Sequence, residues 1–284
     1  VQVLRFLESG GLGGRVPGVV STADGVDVVF VPGPPGHGCW VRLLSFLVGE
    51  KLVGLPLRPP RLLEELGRFL GRLDRLLLDF DHPGAHRTIP WDMARLDLLA
   101  GSLDRVDDPR RRQLVGRWLD RFRSGLLPEI GRLRRSVVHN DANDHNILVS
   151  SSDPEAAEVC GLIDFGDMVH TVTVAEVAIA AAYAMLGDDD PLAAGGRVIT
   201  GYHAALPLTA GERRVLFDLV VARLCQSVLI AARRRQLAAD NEYLLVSERP
   251  VWDLLESLSA IDPDRANERL VAGTLGVVDD VPSP

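Results

Sequence analysis

The sequence predicts an α+β protein in which a small β-containing start precedes a large, mainly helical remainder. Segments 25–31 and 39–49 have the composition of strands and are joined by PGPPGHG, which is typical of a hairpin loop. From about Pro60 onward, apolar residues recur at spacings of three and four, which is the helical period. Apolar residues make up 46% of the 284 residues, which is enough to fill a sizeable core.

The first predicted element is the end of a helix. VQVLRFLE (1–8) has a helical pattern and is followed by SGGLGG, which stops it. Because the pattern starts without a cap, we expect that the chain was cut from something longer or starts late. GGLGG (10–14) invites a phosphate-loop interpretation, but it follows a helix and no Lys-Ser or Lys-Thr comes after it.

The remainder is predicted to consist of helices that bury one apolar face each. TVAEVAIAAAYAMLG (173–187) is nearly all apolar and is predicted to be the buried centre of this part. A tail is predicted from about residue 273. The predicted helices cover residues 61–80, 113–130, 173–187 and 211–238, the last as one long helix or two.

Charge and cysteine content exclude several classes of function. The net charge of −8 argues against a general grip on nucleic acid and suits a cationic small molecule. The three cysteines are odd in number and far apart, which argues against a disulfide framework and favours a reducing, cytoplasmic location. We find no signal peptide and no apolar stretch of about 18 residues, so no membrane partner is expected.

The run VVHNDANDHNILV (137–149) concentrates hydrogen-bonding side chains near the middle of the chain. NILV (146–149) and VCGLI (159–163) are predicted to be short strands of one hairpin. DFGD (164–167) follows the second strand directly, so polar clusters flank the hairpin at both ends of its sequence. The residues expected to converge on one point are Asp141, Asn146 and Asp164.

This combination has a chemical use. Phosphoryl transfer from a nucleotide requires Mg²⁺ held by a few oxygen ligands, with phosphate oxygens completing the shell. It also requires a carboxylate beside the acceptor hydroxyl. An Asp, an Asn five residues later and an Asp after a buried strand supply these groups.

With these motifs the sequence resembles the protein-kinase-like small-molecule kinases of the aminoglycoside phosphotransferase and choline kinase superfamily. The family's loop His-x-Asp-x-x-x-x-Asn matches His139, Asp141 and Asn146, and its metal motif matches residues 163–167. NDANDHNIL, IDFGDM and FDHPGAHRTIPWDM (80–93) resemble the hydroxylysine kinase branch, which includes kinase halves fused to class III aminotransferases.

The resemblance implies a role for each matched residue. Asp141 would be the catalytic base or the group that orients the acceptor hydroxyl. Asn146 and Asp164 would be the metal ligands. His139 would brace the loop, and Asp167 would support the site without touching the reacting atoms.

The resemblance also implies a two-lobe fold. Residues 1–48 would be a partial N-terminal, nucleotide-covering lobe that ends at the hinge, and residues 49–284 would be the helical C-terminal catalytic and substrate lobe. The segment LLSFLVGE resembles the hinge. Backbone groups near Phe46, Leu47 and Val48 are therefore expected to meet the nucleotide base.

The sequence departs from the pattern of the family in the part that binds the phosphates. Family members begin with a phosphate loop and a strand lysine that pairs with the α- and β-phosphates, and nothing of that kind precedes Val1. Lys51 is the only lysine and lies after the hinge, and Glu8 lies late for the lysine's partner. We therefore expect that the first strands of the small lobe are missing, and that a chain beginning at Val1 is a poor kinase beside a form extended upstream.

The function implied by the resemblance is transfer of the γ-phosphate of ATP or GTP, with Mg²⁺, to a hydroxyl of a small amine-bearing metabolite such as hydroxylysine. Association with, or fusion to, an aminotransferase is a further expectation. Three alternatives stay open: a catalytically impaired pseudokinase, an aminoglycoside-modifying kinase, and a metal-dependent hydrolase that uses His139, Asp141 and His145.

Four further features are given no catalytic or binding role. Glu176, inside the apolar helix, is predicted to be the partner of a buried loop group. GDDDP (187–191) is predicted to be a solvated helix end. Trp91 and Asp92 match the pattern of the branch, but spacing alone gives them no role.

Overall fold

The computed structural model describes residues 1–34, 37–235 and 242–275, with residues 242–247 described by their backbone only. The chain divides into two compact units. The first consists of Val1–Leu57 and His145–Asp164, and the second of Arg58–Asp144 and the described residues from Phe165 onward. The predicted lobe boundary after residue 48 stays a prediction, whereas the compact unit extends to Leu57 and takes in the hairpin 145–164.

The strands of the described residues are short and form four small sheets. Their order is β1–β4, β2–β3, β5–β7–β8 and β6–β9, and every pair is antiparallel. The strands are β1 (Val19–Val20), β2 (Val29–Pro32), β3 (Gly38–Val41), β4 (Leu43–Leu44), β5 (Glu50–Lys51), β6 (Arg135–Val138), β7 (Ile147–Val149), β8 (Val159–Leu162) and β9 (Val169–Val172).

The described α-helices agree in part with the helices predicted from the sequence. The four segments predicted as helical each contain a helix, and the part of the last segment beyond residue 235 lies outside the described residues. The helices are α1 (Gln2–Leu7), α2 (Pro60–Leu77), α3 (Pro109–Arg121), α4 (Leu127–Ile130), α5 (Ala175–Ala184), α6 (Pro191–Ala205), α7 (Ala210–Arg235), α8 (Glu242–Leu258) and α9 (Pro263–Val271).

The first unit carries the two predicted hairpins. β2 pairs with β3, and β7 pairs with β8, so both predictions are confirmed with shorter strands. The helical pattern of 1–8 is confirmed by α1, although a π-turn, Glu8–Leu12, continues it before the chain turns away. The pairing of β1 with β4 was not predicted, because two-residue strands leave no periodic signal.

The predicted helix over residues 113–130 is confirmed, although a π-helical segment interrupts its α-helical hydrogen bonding. α3 begins four residues earlier at Pro109, with Asp108 as its N-cap, and ends at Arg121. A π-turn, Phe122–Leu126, and the short α4 follow. Pro128 has no backbone N–H to give, and Gly125 is a weak helix former, so the regular helix is not continued through this stretch.

The core of the second unit is built around α2, α5, α6 and α7. Nearly every residue of α5 is buried, which confirms its predicted central position. α2 and α6 approach closely at two glycines. A methyl group at Gly67 would overlap the Val198 carbonyl, and one at Gly201 would overlap the Glu64 carbonyl, so the contact requires glycine at both positions.

α7 corrects the expectation that no segment has the composition of a membrane span. Within the described part of the chain it is the one helix that is long and apolar enough by length and composition. However, 83% of its most apolar 18-residue window is buried inside the protein, which is typical of a core helix. The predicted tail from about residue 273 lies mostly outside the described residues, which end at residue 275.

Candidate active site

The structure distributes the predicted site residues over both units. His139, Asp141 and Asp167 belong to the second unit, and Asn146, Asp164 and the hinge residues belong to the first. Asn146 and Asp164 are brought together on one hairpin, and His139, Asp141 and Asp167 lie on connected segments of the other unit. The predicted convergence of all three central residues stays a prediction.

The loop that carries Asp141 leaves β6 at Val138 and turns at once. His139 is fully buried, and its Nδ1 accepts a hydrogen bond of 3.3 Å from the backbone N–H of Asp141. Its ring packs edge-on against Phe165 of the metal motif, with 4.6 Å between ring centroids. These contacts hold His139 inside the protein, where it can fix the loop and where its ring is away from solvent.

Asn140 turns the loop through a left-handed conformation with φ of 67°. Asparagine tolerates this region better than most residues. Its backbone N–H donates to Glu176 Oε2 at 2.8 Å, and its side-chain Nδ2 donates to the Trp91 and Asp167 carbonyls at 3.2 and 3.3 Å. The bond to Glu176 confirms the prediction that this glutamate is the partner of a buried loop group.

Glu176 is fully buried on α5. Desolvation by burial raises the pKa of its carboxyl group from 4.5 to about 7, although hydrogen bonds from the Asn140 and His139 backbone and the charge of Arg223 oppose this rise. The negative charge of Asp141 adds to it. Glu176 therefore lies within electrostatic reach of the predicted catalytic carboxylate.

Arg223 and Asn143 both donate to one oxygen of Asp141. Its Oδ1 accepts from Arg223 Nη2 at 2.9 Å and from Asn143 Nδ2 at 3.0 Å. The Asp141 side chain keeps 20% of its surface exposed, whereas that of Arg223 keeps 2%. The carboxylate is therefore oriented by buried protein and still reaches solvent.

Sequence reasoning missed Arg223. It lies on α7, and its Cζ lies 4.5 Å from the Trp91 ring centroid and 5.5 Å from the Tyr183 ring centroid. The available signal was a charged residue in the otherwise apolar run LVVARLCQSVLI (219–230), where a buried arginine requires a partner. Trp91, to which spacing gave no role, is one face of this arrangement.

The metal motif leaves β8 and forms a tight turn. Residues Phe165–Asp167 form a 3₁₀ turn, and Asp167 is half-buried. Arg87 donates from Nη2 to the Gly166 carbonyl at 2.5 Å and from Nε to the Met168 carbonyl at 3.1 Å. Sequence reasoning also missed this clamp, which comes from the segment 80–93 that resembles the hydroxylysine kinase branch.

In the first unit, Asn146 and Asp164 lie at the same end of the β7–β8 hairpin. The Ile163 N–H donates to the Asn146 carbonyl at 3.0 Å, directly beyond the Ile147–Leu162 pair. Asp164 has a φ of 64°, and it and Asn140 are the two non-glycine residues with positive φ in the described chain. Such conformations cost free energy and are concentrated at functional sites.

These two residues fit a hard divalent cation. Amide and carboxylate oxygens are the ligands that Mg²⁺ prefers, and a site with one or two protein ligands takes its remaining ligands from water and phosphate. Neither unit, over its described residues, contains three His, Cys, Asp or Glu side chains placed to share a metal ion. His145, required by the hydrolase alternative, is exposed. A closed zinc site therefore has no support here.

The predicted hinge residues lie between β4 and β5, in a segment that belongs to no helix or strand. Phe46 and Val48 are 89% and 86% exposed, and the Val48 carbonyl accepts a hydrogen bond from the Cys160 thiol at 3.7 Å. Lys51 lies on β5, opposite Leu148 of β7, and is exposed. The nucleotide-binding role of this segment stays a prediction.

Comparisons with known proteins agree with these motifs. Residues 1–217 match the family described as "Phosphotransferase enzyme family". Hydroxylysine kinase of Bos taurus is 33% identical over 275 residues, covering 90% of this chain and 71% of the relative. Hydroxylysine kinase of Mus musculus is 34% identical over 227 residues, covering 77% of this chain and 60% of the relative, so the chain spans less than two thirds of that protein.

Solved structures share the fold. An amicoumacin kinase, hAmiN, in complex with AMP-PNP, Ca²⁺ and Ami has a TM-score of 0.65 at 16% identity, covering 93% of this chain and 79% of that one. A microcompartment-associated aminopropanol kinase has a TM-score of 0.56 at 18% identity, covering 96% and 82%. The predicted protein-kinase-like α+β fold is confirmed. The chain therefore belongs to the phosphotransferase enzyme family, in the group of small-molecule kinases that includes the hydroxylysine kinases.

Proposed function

We propose that the protein transfers the γ-phosphate of ATP or GTP to a hydroxyl group of a small amine-bearing metabolite, with hydroxylysine as the leading acceptor. The observation that carries this proposal is the Asp141 carboxylate, oriented by Arg223 and Asn143 on a loop with the spacing of the family's catalytic motif. The identity to hydroxylysine kinases supports the choice of acceptor.

In this mechanism Asp141 receives the proton of the acceptor hydroxyl. The hydroxyl oxygen forms a bond to the γ-phosphorus, the bond from that phosphorus to the β–γ bridging oxygen breaks, and the nucleoside diphosphate leaves with the electron pair. Phosphoryl transfer has little covalent chemistry for a protein to do, so orientation of the hydroxyl by a fixed carboxylate is the main contribution of this loop.

Asn146 and Asp164 would hold a divalent cation, with Mg²⁺ as the leading candidate. When bound, the cation supplies positive charge beside the phosphate oxygens. His139 and Glu176 hold the loop backbone through the N–H groups of Asp141 and Asn140. Asp167 contributes its backbone carbonyl, which accepts from the Asn140 side chain and ties the metal motif to the loop.

The acceptor is proposed to carry a positive charge as well as a hydroxyl. The net charge of −8 and the resemblance to the hydroxylysine kinase branch favour a cationic substrate. A cytoplasmic location and an association with an aminotransferase are consistent with this proposal and stay predictions.

A substrate screen with the full-length protein tests the proposal. Hydroxylated amino acids, amino alcohols, sugars and aminoglycosides are each incubated with ATP or GTP, and phosphorylated products are identified by ³¹P NMR. We expect hydroxylysine to be phosphorylated most efficiently. A neutral sugar as best substrate would refute the cationic acceptor, and turnover of any substrate without nucleotide would refute the kinase assignment.

The variant Asp141→Asn tests the role of the carboxylate. Because the carboxylate acts on the proton in the transition state, we expect turnover to fall by about 10²–10⁴-fold. Nucleotide binding, measured by calorimetry, should remain close to that of the wild type, since Asp141 does not hold the nucleotide. Full activity of this variant would remove Asp141 from the mechanism.

A further inference from the structure

Arg223 is a charged side chain in the centre of an apolar helix. Its neighbours on α7 from residue 219 to residue 226 are all buried, and Arg223 itself is 1% exposed. Moving such a charge out of water is unfavourable even after relaxation of the surroundings. An apolar side chain of similar volume would avoid this cost, so the contacts of the guanidinium indicate why an arginine is present.

Those contacts converge on Asp141. Arg223 Nη2 donates to Asp141 Oδ1 at 2.9 Å, while its guanidinium lies near the rings of Trp91 and Tyr183. Gln226, one turn along α7, accepts from Arg223 Nη1 at 3.4 Å and donates to the Pro90 carbonyl at 2.7 Å. Gln226 thereby fixes the segment that carries Trp91 against the same helix.

The guanidinium is oriented for Asp141 at a cost to its own hydrogen bonding. Its Nε is buried and has no hydrogen-bond partner among the described residues. Buried donors in proteins are nearly always paired, so an arginine with a purely structural role is expected to satisfy all of its N–H groups. Here one donor is left unpaired while another is directed at the predicted catalytic carboxylate.

We propose that Arg223 is a positioning residue that fixes the Asp141 carboxylate for phosphoryl transfer. The inference rests on the proposed function. Arg223 reaches Asp141 from α7 and Asn143 reaches it from the loop itself, and two donors on one oxygen restrict rotation of the carboxylate. Glu176 of α5 and Asp141 interact as like charges, which makes the cation of Arg223 more important.

The test compares Arg223→Lys and Arg223→Ala with the wild-type full-length protein. Lysine keeps a positive charge but lacks the planar fork that the two rings hold. A misplaced catalytic group costs about 10²-fold in rate. We expect kcat to fall by about that factor in Arg223→Ala and by less in Arg223→Lys, with the KM for nucleotide unchanged in both.

Chemical rescue separates positioning from general structural damage. Guanidinium ion at low concentration can enter the space left in Arg223→Ala, so it is expected to restore part of kcat in that variant and to raise its melting temperature. It should do neither in the wild type. Urea, which has a similar shape and no charge, serves as the matched additive.

Arg121→Lys is the matched control variant. Arg121 also pairs with an aspartate, Asp218 of α7. It donates from Nε to Asp218 Oδ1 at 2.7 Å and from Nη2 to Asp218 Oδ2 at 3.2 Å. It lies on α3 and contacts none of the groups that hold Asp141. We expect kcat in Arg121→Lys to equal that of the wild type.

The outcomes are distinguishable. Absence of turnover in the wild type would overturn the proposed function and this inference together. This inference alone would be overturned if circular dichroism shows that Arg223→Lys and Arg223→Ala are folded and both have the kcat of the wild type. Unfolding of both Arg223 variants, or an equal loss in Arg121→Lys, would show that the arginine acts on stability and would also overturn it.

Discussion

Glu176 makes the stability of the protein depend on pH in a direction that can be measured. Burial raises the pKa of its carboxyl group from 4.5 to about 7. The folded protein therefore binds a proton more tightly than the unfolded chain does. The stability that this proton contributes is complete below pH 4.5 and is lost as the pH rises to about 7.

The variant Glu176→Gln isolates this contribution. An amide oxygen can accept the hydrogen bond from the Asn140 N–H, and the amide has no charge to desolvate. A pKa difference from 4.5 to about 7 corresponds to a free energy on the order of 3 kcal/mol. Relative to the wild type, Glu176→Gln is expected to gain about that much free energy of unfolding above pH 7 compared with below pH 4.5.

Urea unfolding followed by circular dichroism at a series of pH values measures the effect. Glu212→Gln is the matched control, because Glu212 is also fully buried but accepts hydrogen bonds from Arg134 at 3.0 and 3.1 Å. Removing its charge leaves the partially buried arginine without its partner, so this variant should lose stability at neutral pH. A stability difference between Glu176→Gln and the wild type that stays constant across pH would refute the reasoning.

Four further predictions concern the metal motif, the contact between α2 and α6, and a glycine of α3. Asp164→Ala should abolish the enhancement of nucleotide binding by Mg²⁺ in calorimetry, and unchanged enhancement would remove Asp164 from the metal site. Gly67→Ala should lower the free energy of unfolding by about 1–3 kcal/mol through overpacking. Gly116→Ala, whose added methyl group meets a side chain at an ordinary 3.6 Å, should raise it by about 0.5–1 kcal/mol. Arg87→Met should speed hydrogen exchange in the segment after β8, because the carbonyl clamp is lost; unchanged exchange would show that the turn holds itself.

Much of the fold could be predicted from local pattern. The period of α2, the all-apolar composition of α5 and the turn residues between β7 and β8 each appear within one continuous segment of sequence. The same holds for the candidate site, since the spacing of Asp141 and Asn146 and the position of Asp164 after a strand are local features. GDDDP was also interpreted correctly: Asp190 caps α6 and pairs with Arg269 on the surface.

What could not be predicted depends on pairing between distant segments. β6 pairs with β9 across the whole catalytic and metal-motif region, and four-residue strands in which neighbouring residues are buried show no alternation that would predict the pairing. The pairing of β5 with β7 places Lys51 on the sheet that carries the metal motif, which the order of the sequence alone does not indicate. Such contacts exist only once the segments between them have folded.

The polar residues buried in apolar helices connect the local sequence pattern with the contacts between distant segments. Glu176 on α5 and Arg223 on α7 are each costly to bury without a partner, and for each the partner is the loop at residues 140 and 141. The helices therefore reach their full stability only when the loop is in place, and the left-handed turn at Asn140 directs its backbone N–H to Glu176. A sequence shows that such a residue requires a partner, but the folded helices determine which group meets it. The placement of the Asp141 carboxylate is for that reason a property of the packed second unit as a whole, although the motif that contains it is only a few residues long.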